Sequence, residues 1–371
     1  MLDARIKEVF SGFPPEFLWH LLMDYNRRDQ GCDAFEKVGV AGGEKPERHY
    51  LNGVFRGLNF VFQTFNEPLS VKYLLTLFRQ ATKNVSVLYT GESGPVFPQP
   101  FKSHYRNTYV ETSFGLIPND KDKTHNITKK GFNELVRLIQ KGPAWLTGDL
   151  MIRLNSGVEI KKGMTLDRTL DYFEILQSER GDIVRTRSTP DNLKYSLEQV
   201  IDSFHREIKS VGAEDEKIKA IAKCIHTLEL IHPFDDGNCR TMNLLMNKLL
   251  LQYGLMPSIL ENPNRIDAYA IDEIVDEIKQ GQERFVKLKT WLPAESIKKD
   301  VAVKGRVFSG GNDQIETLVS VYQRKHQSIC SDCCSFWSSV VPVRSSSSSS
   351  AFRPDTGAAS EKLLLITTQP R

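Results

Sequence analysis

The sequence predicts a mainly α-helical protein: a helical bundle with a β-hairpin, preceded by an α+β accessory region and followed by a disordered tail. Three observations carry this expectation. Apolar residues recur at three- and four-residue steps on both sides of residues 232–240. Two short extended runs, 171–176 and 182–188, flank Ser178-Glu179-Arg180-Gly181 and read as a hairpin. Six consecutive serines occupy 345–350, a composition that cannot bury enough apolar surface to fold alone.

Bulk properties narrow the class. A length of 371 residues suggests about two or three domains. A hydrophobic content of 40% with 26% charged residues is that of an ordinary globular chain. The net charge of +3 gives no case for nucleic acid or a membrane surface as partner. Six scattered cysteines do not form a disulfide framework and point to a reducing compartment. Asp3 and Lys7 interrupt the start of the chain, so a Sec signal peptide is not expected. No apolar run approaches the roughly 18 residues of a membrane span. A soluble, cytoplasmic protein is the expectation.

Residues 1–125 are assigned to an accessory or targeting domain of unnamed fold. A short apolar block, 17–23, follows Pro14-Pro15 as a helix opening, and 31–48 reads as a Gly-rich, charged loop. Tyr73, Leu74, Leu77 and Phe78 give 71–81 helical spacing. Residues 85–89 alternate as a strand, and 91–100, with three prolines, reads as a loop. The charged stretch 118–130 is the expected boundary. The bundle is placed at 126–297, with its core at 165–290. Phe132, Leu135, Val136 and Ile139 mark a helix ending near Gly142-Pro143; 144–165 alternates weakly, with Gly148, Gly157 and Gly163 as turns. Thr189-Pro190-Asp191 opens a helix whose Leu193, Leu197, Val200, Ile201, Phe204 and Ile208 share one face. Glu214, Asp215 and Glu216 occupy the first turn of the next, where the dipole favours acids. An amphipathic helix over 264–280 and a closing segment over 285–291 complete the bundle. Residues 298–340 form an extension, with helical spacing at Ile315, Leu318, Val319 and Tyr322, and 341–371 the tail. Cys330, Cys333 and Cys334 lack a fourth ligand at zinc-ribbon distance and read as plain thiols; Cys224 and His226 read as packing residues.

The centre of the chain is His-Pro-Phe-Asp-Asp-Gly-Asn-Cys-Arg, residues 232–240. Ile218, Ile221, Ala222, Ile225 and Leu228 lead into it, and Met242, Leu245, Met246, Leu249 and Leu250 lead away before Gly254 and Pro257. The stretch is therefore a tight connection between two buried helices, the second starting near Asn238. Unpaired N–H groups at a helix start attract anions, and Gly237 lets backbone approach a phosphate closely. A histidine, two carboxylates and an arginine converge on the same turn, which points to a nucleotide.

The stretch resembles the signature of the Fic family, HPFx(D/E)GNGRxxR. His232, Pro233, Phe234, Asp236, Gly237, Asn238 and Arg240 match; Cys239 replaces a glycine and Asn243 replaces the second arginine. The resemblance covers roughly 165–290 and implies a Fic-like helical bundle with a hairpin flap. It implies transfer of AMP from ATP to a Ser, Thr or Tyr hydroxyl of a target protein, with Mg²⁺. His232 becomes the general base, a task suited to imidazole. Asp236 becomes the Mg²⁺ ligand; Gly237, Asn238 and Cys239 hold phosphate oxygens, Asn238 with its side chain too; Arg240 faces the leaving pyrophosphate. Asp235, at the variable position, receives no role. Ile183, Val184, Thr186 and Ser188 occupy the place of the flap, which holds a target segment by strand addition. Asn243 cannot supply the guanidinium that grips a γ-phosphate, so UMP transfer or phosphocholine transfer from CDP-choline is the alternative, and a non-catalytic nucleotide- or partner-binding protein is a third. No inhibitory Ser/Thr-x-x-x-Glu-Gly/Asn motif is found. Self-modification, and delivery into a host cell as a bacterial effector without a Sec signal, follow by the same analogy.

Overall fold

A computed structural model describes residues 3–11, 13, 15–22, 47–89, 97–106, 112–116, 126–147, 150–153, 157–164, 172–174, 183–185 and 190–290. Thr186, Ser188, Cys330, Cys333, Cys334 and the Ser-rich tail lie outside the described residues. Nine α-helices appear among the described elements: α1 (Ala4–Phe10), α2 (Tyr50–Gln63), α3 (Val71–Thr82), α4 (Lys129–Lys141), α5 (Ala144–Thr147), α6 (Pro190–Ser210), α7 (Glu214–Ile231), α8 (Asn238–Gln252) and α9 (Ile271–Thr290). Short 3₁₀ segments cover Pro15–Leu21 and Pro263–Arg265. None of these helices is long and apolar enough to cross a membrane.

The helices start where local chemistry dictates. Ser70 caps α3 by accepting the Tyr73 N–H at 3.0 Å, and Thr128 caps α4 by accepting that of Gly131 at 2.9 Å. Acids fill the first turn of α7, and Glu216 reaches back to the Ala213 N–H. α9 differs from expectation: it begins at Ile271, not near residue 264, and runs unbroken to Thr290. Its start is fixed by the Glu273 carboxylate, which accepts both the Ala270 N–H and the Thr128 hydroxyl.

Residues before 125 are not a separate layer. Val54, Phe55, Leu58, Leu74, Leu77 and Phe78 belong to the same buried cluster as Ile221, Ile225, Leu228, Leu245, Met246 and Leu249. The expected boundary near residue 125 therefore does not divide two cores, because α2 and α3 pack directly on α8. α2 itself escapes the sequence patterns since glycines interrupt it. One of them, Gly53, has a packing reason: a Cβ there would run into the Ala81 carbonyl. At the other end of the core, the Phe13 ring stacks on Phe285 at 4.7 Å and docks the N-terminal segment on α9.

Among the described residues, eight short strands form two sheets: β1 (Glu47–Arg48), β2 (Ser86–Tyr89) and β3 (Phe97–Pro100) in the order β1-β2-β3, and β4 (Thr112–Leu116), β5 (Asn126–Ile127), β6 (Met151–Arg153), β7 (Glu159–Lys161) and β8 (Ile183–Arg185) in the order β5-β4-β8-β6-β7. β3 falls in the Pro-rich stretch expected to be a loop; it tolerates Pro98 and Pro100 because it is an edge strand. The expected hairpin of 171–176 with 182–188 does not form. Residues 172–174 are helical, and β8 pairs instead with β4 and β6. The hairpin ahead of the motif is β6–β7, with Ile152 opposite Ile160 and Gly157 in the turn region. Both inward isoleucines are fully buried beneath Phe132, Leu135 and Ile139 of α4, which the weak alternation of 144–165 only hinted at.

Lys248 of α8 is buried, with its Nζ donating to the Glu67 carbonyl and the Gln252 amide oxygen and lying 4.8 Å from the centre of the Tyr73 ring. Burial pulls its pKa down from 10.5 to about 8. Below pH 8 both folded and unfolded chains hold the proton, and the folded chain carries the full cost of the buried charge. Between about 8 and 10.5 the folded chain has released it while the unfolded chain has not, so stability rises with pH, by up to roughly 3 kcal/mol. From pH 7.5 to about 9.5, below the tyrosine range, the urea midpoint of the wild type should rise relative to that of Lys248→Met; the difference isolates Lys248, because the opposing contribution of the buried Cys224 thiol is common to both.

Candidate active site

The site is built at the junction of α7 and α8. α7 ends at Ile231, and His232 takes the left-handed conformation with φ 51° and ψ 65°. Gly237 is left-handed as well, at φ 77°, and α8 starts at Asn238. Two left-handed residues thus bracket Pro233–Asp236 and fold the chain into a closed loop. A left-handed histidine costs about 1–2 kcal/mol relative to a right-handed one, so its surroundings must hold it. At Gly237 a Cβ would also meet Thr82, Phe101 and Phe78 at 3.2–3.3 Å.

Phe234 is the loop's anchor. It is fully buried and lies between the Phe78 ring at 3.8 Å and the Tyr105 ring at 5.2 Å, all three nearly parallel. The Asn238 amide spans the loop from inside: its Oδ1 accepts the Phe234 N–H at 2.9 Å, and its Nδ2 donates to the Phe234 carbonyl at 2.8 Å. At 2% exposure, Asn238 shapes the loop; the side-chain contact with phosphate that the resemblance implied is directed inward instead. Thr241 closes the far end by donating its hydroxyl to the Gly237 carbonyl at 2.8 Å.

The reactive side chains sit on the outer face of this frame. The His232 side chain is 17% exposed, and its Nδ1 lies 4.0 Å from the buried Glu229 carboxylate. That leaves Nε2 as the nitrogen turned away from the carboxylate. Asp236 is exposed, and its Oδ1 accepts the Gly237 N–H at 2.6 Å. The chain's own carboxylate thus takes an anion's place at the start of α8. Asp235 is engaged with Lys102 at 2.7 Å, consistent with its lack of an assigned role. Cys239 is partly exposed on the first turn of α8. No group of three or more His, Cys, Asp or Glu capable of holding a metal ion occurs among the described residues. A single exposed carboxylate still suits Mg²⁺, which keeps waters and takes most of its other ligands from substrate phosphates.

Arg240 is less accessible than expected. It is 8% exposed, ion-paired to Glu47 of β1, and covered by Tyr50 and Phe101, whose ring centres lie 4.6 and 4.9 Å from its guanidinium carbon. Burial works against its charge, but the Glu47 carboxylate and Tyr50 outweigh burial and hold the guanidinium above its already high range. Asn243, at the position of the second arginine, is 4% exposed; it donates its amide to the Leu21 carbonyl at 3.0 Å and accepts from Asn247. It belongs to the interior and joins α8 to the N-terminal 3₁₀ segment. Cys224 and His226 are buried on α7, and burial pushes the Cys224 thiol far up.

Ile183 and Val184 lie in β8, which has β4 on one side and β6 on the other. The strand addition expected of this segment needs an open edge, and β8 offers none in this arrangement. Sequence reasoning also missed Glu47, Tyr50, Phe101, Lys102 and Arg106. The one signal, for the last three only, is an aromatic-basic pair repeated at four residues, Phe101-Lys102 and Tyr105-Arg106.

Residues 157–250 match the Fic/DOC family model. Phosphocholine transferase AnkX of Legionella pneumophila is 42% identical over 91 residues, 24% of this chain and 10% of that protein. Protein adenylyltransferase Fic of Aedes aegypti is 34% identical over 87 residues, 21% of this chain and 17% of the relative. Protein adenylyltransferase Fic of Nematostella vectensis is 28% identical over 131 residues, 35% and 30% of the two chains. The matched stretch thus spans less than a third of each of these relatives.

Two outcomes test the frame. Gly237→Ala should lower unfolding free energy by about 2 kcal/mol, from the left-handed backbone and the three tight contacts, measured by urea denaturation. Glu47→Ala leaves a buried guanidinium uncompensated and should cost about 3–5 kcal/mol. Adding Arg240→Met to it should recover part of that loss in a double-mutant cycle.

Proposed function

We propose that this chain, whose residues 157–250 match the Fic/DOC family model, transfers a phosphate-linked group, most simply AMP from ATP, to a hydroxyl of a target protein. The observation that carries it is the pairing of His232 with the α8 N-terminus across one closed loop, beside the exposed Asp236. His232 Nε2 takes the proton as a target Ser, Thr or Tyr oxygen attacks the α-phosphorus. The new O–P bond forms in line with the breaking bond to pyrophosphate, which leaves with the electron pair. A donor phosphate takes the Gly237 N–H from Asp236, which turns that carboxylate outward toward the donor; Gly237, Asn238 and Cys239 then present backbone N–H groups to its oxygens. Asp236 would hold Mg²⁺, which neutralises developing phosphate charge when bound. Arg240 serves the leaving group only once Glu47 yields its ion pair. The target segment is held elsewhere than by an open edge of β8, or β8 must first leave β6, to which, among the described residues, the pair Arg153–Val184 joins it.

A second reading is favoured by two residues. Asn243 is committed to Leu21 and offers nothing to a γ-phosphate, while Glu47 cancels the charge of Arg240. A donor with two phosphates and a cationic head, such as CDP-choline, suits that lower positive charge; attack at its choline-bearing phosphorus releases CMP. The phosphocholine transferase among the relatives makes this a reading to test directly.

Intact mass should be recorded after incubation with Mg²⁺ and, separately, ATP, UTP, GTP or CDP-choline, with candidate target protein or the chain itself as acceptor. A gain of AMP supports the first reading, and a gain from CDP-choline alone the second. His232→Ala should cut the rate by about 10²–10⁴-fold, and chelation of Mg²⁺ should abolish it. No gain from any donor, together with no donor binding by calorimetry, overturns both.

A further inference from the structure

The segment of residues 101–106 lies along the motif loop like a strap. Phe101 covers Arg240, Lys102 pairs with Asp235, and Tyr105 stacks on Phe234. The strap is itself tied to α3, through the Arg79 Nε donating to the Ser103 carbonyl at 2.6 Å and the Tyr105 hydroxyl donating to that of Val71 at 2.7 Å. Its last residue makes the closest engagement. Arg106 is 2% exposed. Its Nε donates to the His232 carbonyl at 2.7 Å, its Nη2 to the Ile231 carbonyl at 3.1 Å, and its backbone N–H to the Pro233 carbonyl at 3.0 Å.

Three successive carbonyls are thus held by one residue, and the middle one belongs to the left-handed His232. A guanidinium taken out of water is costly unless its donors are used. Packing alone does not require a cation in this place. What it provides is a rigid fork that spans two adjacent carbonyls at the negative end of α7, where a positive charge is favoured. We propose that Arg106 is a positioning residue for His232: it holds the left-handed turn that aims the imidazole, and so sets the rate of transfer and not the affinity for the donor. The catalytic part of this inference rests on the transfer reading above.

The test uses the full chain with Arg106→Lys, which keeps the charge but has no fork, and Arg106→Met, which removes both; thermal melting identifies the folded variants. Displacement of a base by about 1 Å costs on the order of 100-fold, so kcat for Arg106→Met should fall by about that factor with donor KM within about twofold, and Arg106→Lys should lie between it and the wild type. A second readout does not need activity. Acylation of His232 by diethyl pyrocarbonate, followed by peptide mass spectrometry, should quicken severalfold in either variant, with His205 unchanged as the internal reference. Folded variants that keep wild-type kcat, or lose activity through KM alone, overturn the proposal, as does an unchanged His232 acylation rate. If the wild type transfers nothing from any donor, the transfer reading fails by itself and acylation alone decides the role of Arg106. If Arg106→Met does not fold, Arg106→Lys decides.

Discussion

The ends of two deeply buried helices meet inside this protein, and the backbone groups that helix ends leave unpaired must be satisfied there with little help from water. That constraint shapes the whole site. The carbonyls of Ile231 and His232 go to the Arg106 guanidinium and that of Pro233 to its backbone N–H. Both backbone groups of Phe234 go to the Asn238 amide. The Gly237 N–H goes to Asp236, and its carbonyl to Thr241. With most of the loop's polar backbone engaged by side chains, His232 and Gly237 can hold left-handed conformations that a free turn would not keep. A hydrogen-bonded loop of this kind is rigid, and rigidity is what an aimed imidazole needs.

The same constraint explains why residues far upstream of the motif, between Glu47 and Arg106, cannot be spared. Arg106, Phe101, Lys102 and the Phe78 ring approach the loop from one side, and Glu47 and Tyr50 reach Arg240 from β1 and α2. The site is therefore assembled from two distant stretches of chain. The charge at Arg240 is answered within the protein by Glu47, as the Gly237 N–H is answered by Asp236. Both places that attract an anion are filled by the chain's own carboxylates, so under the proposed function an incoming donor competes with them. Its affinity is then a difference between two sets of contacts, which makes it sensitive to how many phosphates the donor brings.

Much of the helical frame was legible in the sequence. The apolar spacing of 218–228 and 242–250, the acids at 214–216 and the Thr189-Pro190 opening located α6, α7 and α8 closely, because these helices are amphipathic or buried and carry local start signals. Legibility failed where a long-range partner overrode local pattern. α2 hides behind Gly53, whose missing Cβ matters only against Ala81. β3 hides behind its prolines, which are tolerated because one of its edges is unpaired. The expected strand at 171–176 has a helical turn, and β8 found its partners in β4 and β6, neither of which is its neighbour in sequence.

The sequence by itself determined which candidate groups stand together: a histidine, a carboxylate and a glycine at spacings that a helix–loop–helix junction brings together, with Asn243 where the resembled signature has its second arginine. Those are statements about residue type and local spacing, and the twelve residues from His232 to Asn243 suffice to make them. Tertiary structure alone decided which of these groups face outward. Asn238 turned inward, Arg240 came under Glu47, Asn243 joined Leu21, and Arg106 became the support of His232. The last three depend on a partner more than a hundred residues away, and a buried polar group takes whichever partner the packing of the core brings within reach.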